Sequence, residues 1–243
     1  MTTKKAKAQA RSDRAAALLA ERKRKEKRRN LLSIGGVGLV MALIVGGAVL
    51  FQVLNKDEVK ASDAGSSDYG LLVGPDDAPH EVIVYEDFLC PVCEAFESAA
   101  DDRLSELAAE GKVQIDYRPI SIFEDFSYSA DSLNAFFVVQ DAAGDDVAKL
   151  FHDLLYDDQP AEQGPYPDND WLVAKAVEAG AVEADVRPGI EGDAKADAVE
   201  AASKEAEDAG VGGTPTILLD GVEFRDGKTW DDIAANLAAA IEK

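Results

Sequence analysis

The chain reads as an α/β domain with a helical insertion, carried behind one N-terminal transmembrane helix. Three observations predict this. Leu31–Leu54 is 24 residues long and holds no charge. Between about residues 80 and 119, a β-prone run, a helical pattern and a second β-prone run follow one another. A long stretch of helical periodicity, at about 124–208, then separates that unit from a final β signal and a last helix.

The membrane prediction rests on length and flanking charge. At about 1.5 Å per residue the uncharged segment reaches roughly 36 Å, against a hydrocarbon core of about 30 Å. Residues 1–30 carry 12 Lys or Arg and three acids, a net of +9. Basic flanks stay in the cytoplasm, so the sequence places the N-terminus inside and residues 55–243 outside. A cleaved secretory signal is the alternative. The apolar run exceeds a signal core, however, and "VKASDAG" is a poor cleavage site because Lys60 and Asp63 crowd the small residues. The segment is therefore read as an uncleaved anchor at the plasma membrane, 31–54, behind a basic cytoplasmic arm, 1–30.

The outer part has the opposite balance, 13 basic against 44 acidic residues, a net of −31. Such a surface repels phosphates, which excludes nucleic acid as its partner, and suits a solvated, soluble exterior. The basic arm is read as a topology signal against acidic lipid.

Residues 55–75 are polar and rich in small residues, and read as a linker; the folded domain is expected at 76–243. Val82–Tyr85 reads as a strand buried on both faces. The helix after it places Val92, Phe96, Ala99, Ala100, Leu104 and Leu107 on one face, and Gly111 ends it as a left-handed cap. Val113, Ile115 and Tyr117 alternate with Gln114 and Asp116 in a second strand stopped by Pro119. The inserted helices are expected at Ser129–Ala142, Asp145–Leu155, Asp168–Gly180 and Ala194–Glu207, with a proline-rich loop at Asp157–Asp168. In "TILLDGVEF" the Asp220–Gly221 pair favours a tight hairpin turn. A last helix carries Trp230, Ile233, Leu237 and Ile241.

Cys90 and Cys93, in "FLCPVCEAF", are the only cysteines. A disulfide closing so short a loop constrains the unfolded chain very little, so it is a poor staple. A zinc site wants four ligands. Only His80 and His152 are available as histidines, neither at ligand-like spacing, so no metal is expected; His152 reads as a helix-surface or core-edge residue. Redox chemistry fits the placement. A thiol at a helix start meets unpaired N–H groups and the favourable end of the dipole, which lower its pKa. Pro91 suits the first helical position because its missing N–H would be unpaired there. Cys90 is expected as the exposed attacking or attacked sulfur, and Cys93, one turn further in, as the resolving one.

"EDFLCPVCEAFE" resembles the DsbA-like branch of the thioredoxin superfamily in its membrane-anchored form, over roughly residues 76–243. The resemblance implies a thioredoxin-like fold with an inserted helical domain. In "VGGTPT" it implies a cis bond at Thr214–Pro215, beside the cysteines, with the Thr214 backbone pairing to a bound substrate strand. An ordinary trans proline opening an edge strand is the alternative. The long insertion separates this branch from plain thioredoxins. Two departures stand out. Many relatives keep a buried acid six residues before the first cysteine, where this chain has Val84; Glu86 shares that strand face and could substitute. The dipeptide between the cysteines is Pro91–Val92, so no imidazolium neighbours the thiolate.

The resemblance implies a thiol–disulfide oxidoreductase whose redox-active disulfide is its only cofactor. Its partners would be unfolded or secreted proteins with free thiols and a membrane quinone-linked thiol oxidase for recycling. An oxidising compartment favours oxidation. A reductase or isomerase of the same fold, and a non-catalytic chaperone or binding module on this scaffold, remain as alternatives.

Overall fold

The computed structural model describes residues 59–123 and 125–243. The predicted arm and anchor lie outside these residues. Among the described residues no helix is long and apolar enough to cross a membrane.

The elements in chain order are β1 (Leu71–Val73), β2 (His80–Glu86), α1 (Pro91–Ala109), β3 (Val113–Pro119), α2 (Ser127–Ala143), α3 (Asp145–Asp157), α4 (Asn169–Ala179), α5 (Glu183–Glu191), α6 (Ala196–Asp208), β4 (Thr216–Leu219), β5 (Val222–Glu223) and α7 (Trp230–Ile241). The sheet order is β1-β3-β2-β4-β5. β2 and β3 run parallel, as the α1 crossover requires, and the outer pairings are antiparallel.

Local chemistry explains the boundaries that the sequence predicts. α1 ends at a Schellman cap: Gly111 takes φ +72°, its N–H donates to Ala108 O, and the Lys112 N–H donates to Leu107 O. Asp168 caps α4 by accepting from the Trp171 N–H at 3.1 Å. Asp220 and Gly221, both at positive φ, turn β4 into β5. Thr229 and Asp232 form a capping box at the start of α7.

Four expectations are corrected. The expected linker is part of the fold from Val59 onward. Val59, Ala61 and Ala64 pack on the sheet face formed by Ile83, Tyr85 and Leu218, and Leu71–Val73 adds an edge strand beside β3. That cover explains the second correction. β3 is buried along its whole length, its polar side included, where Arg118 pairs with Asp116 at 2.8 Å and reaches the Ser62 and Asp63 carbonyls. Third, Val92 stands 43 % exposed instead of lying on the inner face of α1, whose buried positions include Cys93, Phe96 and Glu97. Fourth, α5 was not expected, because Pro188 and Gly189 lie inside it. Tertiary contact overrides propensity there: a Cβ on Gly189 would meet the Val138 side chain at 2.9 Å, so only glycine lets α5 approach α2 this closely.

Gly189→Ala is therefore expected to destabilise the domain by about 1–3 kcal/mol, as overpacking does. Adding Val138→Ala should recover part of that loss. Urea midpoints of the two single variants and the double variant check the coupling, and simple additivity would contradict the contact.

Candidate active site

β2 ends at Glu86, and four residues later Cys90 stands as the N-cap of α1 with Pro91 behind it. The turn between them is fixed by Asp87. Its carboxylate accepts from the Leu89 N–H at 2.8 Å, the Ile122 N–H at 2.8 Å and the Ser129 hydroxyl at 2.6 Å. Its carbonyl accepts from the Cys90 N–H at 2.9 Å. From the loop after α3, the Gln159 side chain donates to the Phe88 and Cys90 carbonyls, both at 3.1 Å. Sequence reasoning missed both anchors, and nothing in their local sequence signals them.

Both thiols are free. The Thr214–Pro215 bond is cis, and the Thr214 carbonyl lies 3.5 Å from Cys90 Sγ. This corrects the expectation of an exposed Cys90. The residue is only 3 % exposed, because the Thr214 loop closes over the sulfur, while Pro91 and Val92 beside it face solvent. Cys93 is fully buried.

The two sulfurs are driven apart in acidity. Hydrogen bonding from the Cys93 thiol is the main influence holding the Cys90 pKa down at about 6, against the opposing effect of burial. Thr214 and the N–H groups of Cys93 and Val92 add to it, although no cap hydrogen bond closes on the sulfur. Burial is the largest influence raising Cys93 well above the usual thiol range, followed by its bond to Cys90 and the charge of that neighbour. The expected contribution of the helix start is present. The larger share comes from the second cysteine acting as a donor.

Beneath Cys93 lies a buried polar cluster. Val84 is an apolar core residue, opposite Tyr117 on β3 and Ile217 on β4. Glu86 on the same face is fully buried, and its Oε1 lies 2.6 Å from His152 Nε2. The charge of Glu86 also raises Cys93. His152 is thus not a surface or core-edge residue: it is fully buried between the Tyr117 and Phe88 rings, at centroid distances of 4.7 and 5.7 Å. Burial opposes its charge. Attraction from Glu86, with hydrogen bonds to Asp153 and Glu86, outweighs that and carries its pKa up to about 10. Glu97, 6 % exposed, completes the group, and burial pushes its pKa well up. Its position four residues after Cys93, on the same helix face, was the available signal.

Residues 66–239 match the model of a family described as thioredoxin. The chain belongs to the thioredoxin family. It is 27% identical over 156 residues to a probable disulfide bond formation protein D of Bacillus cereus, covering 61% of this chain and 68% of that one. Among solved structures, reduced DsbG of Mycobacterium tuberculosis matches with a TM-score of 0.63 and 31% identity, over 74% of this chain and 88% of that one. Reduced DsbA of the same organism matches at 0.61 and 29%, over 72% and 91%. The protein is thus a DsbA-like thiol–disulfide oxidoreductase on a thioredoxin-like α/β fold.

The split acidity predicts a proton count. The thiolate absorbance of the reduced protein should rise with a midpoint near pH 6 and lose that step in Cys90→Ala. The reduction potential should fall by about 59 mV per pH unit below that midpoint and by about 30 mV above it, since Cys93 alone then carries a proton. Because folding lowers this pKa, the Cys90 contribution to the stability of the reduced form is complete above the unfolded value of 9.0. It is lost as pH falls through about 6. A single slope across pH 5 to 8 would contradict the assignment.

Proposed function

We propose that the protein is a membrane-tethered oxidase of protein thiols, held by residues 31–54 with its catalytic domain on the outer side of the plasma membrane. In this reading Cys90 meets the substrate and Cys93 resolves. The observation that carries it is the split in acidity between two sulfurs one helical turn apart. At pH 7 a thiol of pKa about 6 is roughly nine-tenths ionised, which makes it a good leaving group and stabilises the reduced pair.

The exchange then runs as follows. A substrate thiolate attacks Cys90 of the Cys90–Cys93 disulfide, forming a mixed disulfide. Cys93 leaves as a thiolate and takes up a proton. A second substrate thiolate attacks the substrate sulfur of the mixed disulfide, and Cys90 leaves with the electron pair. The substrate gains a disulfide and the enzyme pair gains two electrons. Thr214 and Pro215, half-buried beside Cys90, offer the wall against which the substrate main chain lies. Because Cys90 itself is covered, the incoming sulfur approaches across the rim formed by Pro91 and Val92. The exchange needs no cofactor beyond the disulfide, and a quinone-linked thiol oxidase in the membrane restores it. Secreted and envelope proteins with free thiols are the substrates.

Cys90→Ala should lose the reoxidation of reduced, unfolded ribonuclease. Cys93→Ala should leave Cys90 able to attack substrate disulfides, the same exchange run in reverse, with no Cys93 thiol to release it, so mixed disulfides with exported proteins accumulate on non-reducing gels. Full activity in Cys90→Ala would sink the catalytic reading. Recovery of the full chain in the soluble fraction of cells would sink the tethering alone.

A further inference from the structure

The cluster of Glu86, Glu97 and His152 has a problem of charge that the exchange reaction does not solve. One carboxylate oxygen from each glutamate and one nitrogen of His152 all lie within 4.8 Å of one another. Both Glu97 oxygens and Glu86 Oε2 are buried without a hydrogen-bond partner among the described residues. Two carboxylates this close repel strongly where water cannot screen them, and an unpaired buried charge is costly. A proton on His152 offsets one of the two charges, whereas a dication among the three groups offsets both and gives the unpaired oxygens a partner.

Two further features point to a metal ion. His152 Nδ1 lies 2.9 Å from Asp153 Oδ1, and that carboxylate is itself held by Lys149 Nζ at 2.5 Å. A carboxylate behind the ring fixes the Nδ1 proton outward and turns Nε2 inward toward Glu86, the orientation of metal-bound histidines once Nε2 gives up its proton. There is also an entry. A cleft of about 60 Å³ lies against Glu97 between α1 and α3, lined also by Glu94, Asp101, Asp153 and Asp157, and only a small shift of the covered Glu97 carboxylate separates it from the three ligands. An acidic mouth concentrates cations, and this volume holds about two waters at about 30 Å³ each, enough for a remaining ligand.

We propose that Glu86, Glu97 and His152 Nε2 bind one divalent transition-metal ion, with zinc the ion that two carboxylates and an imidazole fit. The charge balances: two carboxylates and a neutral imidazole around a dication give an uncharged unit inside the core. Zinc takes such oxygen and nitrogen donors at about 2.0–2.2 Å. Tetrahedral ligands at that radius stand about 3.3–3.6 Å apart. The 2.6 Å contact between Glu86 and His152 therefore opens by about 1 Å when the ion enters and the Nε2 proton leaves to solvent. Calcium and magnesium, which prefer all-oxygen shells, are disfavoured by the imidazole.

The test uses the full-length protein with its two cysteines oxidised, so that neither sulfur can bind the ion. No turnover is measured, which keeps the result separate from the proposed oxidase reaction. Zinc is titrated calorimetrically in excess magnesium, which occupies the exposed carboxylates. One zinc per chain is expected. Glu97→Gln should weaken it by about tenfold or more, and Asp153→Asn by about tenfold or more through the freed imidazole. Glu178→Gln, on the surface of α4, should leave it unchanged. Should Glu97→Gln lose its far-ultraviolet circular dichroism, Asp153→Asn decides alone. Absence of the tight site in the parent protein, or equal affinity in every variant that folds, overturns the proposal and leaves a proton as the neutralising species.

Discussion

The buried Asp87 carboxylate holds three distant stretches of chain in one place, and the arrangement of the sulfurs follows from that. Its acceptors bind the turn after β2, the loop after β3 and the first residues of α2. With its carbonyl closing on the Cys90 N–H, the chain leaves the sheet at a fixed angle and Cys90 falls at the helix start. Gln159 fastens the same turn from the opposite side, so the inserted helices and the sheet both grip it. Burial raises the Asp87 pKa, and its hydrogen bonds offset that only in part. Such a carboxylate costs much to disturb, because each lost partner leaves an unpaired buried group.

A thiolate at Cys90 must form on a domain that carries a large negative surplus. The magnitudes decide which effect wins. Charges on the surface act through water and are screened within about 8 Å at physiological ionic strength. The Cys93 thiol, Thr214 and the helix N–H groups act at short range in a partly dry site, where an interaction is worth several times more. Short-range donors therefore set the acidity of Cys90 against the acidic exterior. Cys93 shows the converse. Lacking solvent and lying near the Glu86 charge, it stays protonated beside an ionised neighbour.

What could be read from the sequence was what local chemistry specifies. The cysteine turn, the Gly111 cap and the Asp220–Gly221 hairpin each depend on a few adjacent residues, and the structure has them in place. α5 was missed because two breakers outvote its short apolar pattern, while its reason to exist is a contact with Val138 some fifty residues earlier in the chain. Val59–Ala64 looked like a tether because small and polar residues carry no periodicity. They fold only because the sheet offers an apolar face and Arg118 offers donors to their carbonyls. Cys90 was expected in the open because a helix N-cap usually is. Its cover comes from a loop 124 residues away.

His152 and Glu97 show the same limit at the chemical centre, and also what the departure at Val84 means. Moving an acid from position 84 to 86 keeps it on the same sheet face and shifts it by about 6.6 Å along the strand, toward the cysteine turn. An acid placed there cannot stay alone, since the face is sealed by α1 on one side and by aromatic rings on the other. The partner comes from α3, in the insertion, whose His152 reaches across to Glu86. The helical insertion therefore does more than cover the sheet: it supplies the counter-charge for the acid beneath the buried sulfur. Any ion or proton that changes the charge of Glu86, Glu97 and His152 changes the field at Cys93, and through the Cys93 thiol the acidity of Cys90. The electrostatics of the two sulfurs are thus a joint property of the thioredoxin-like half and the inserted half, and neither half read alone accounts for them.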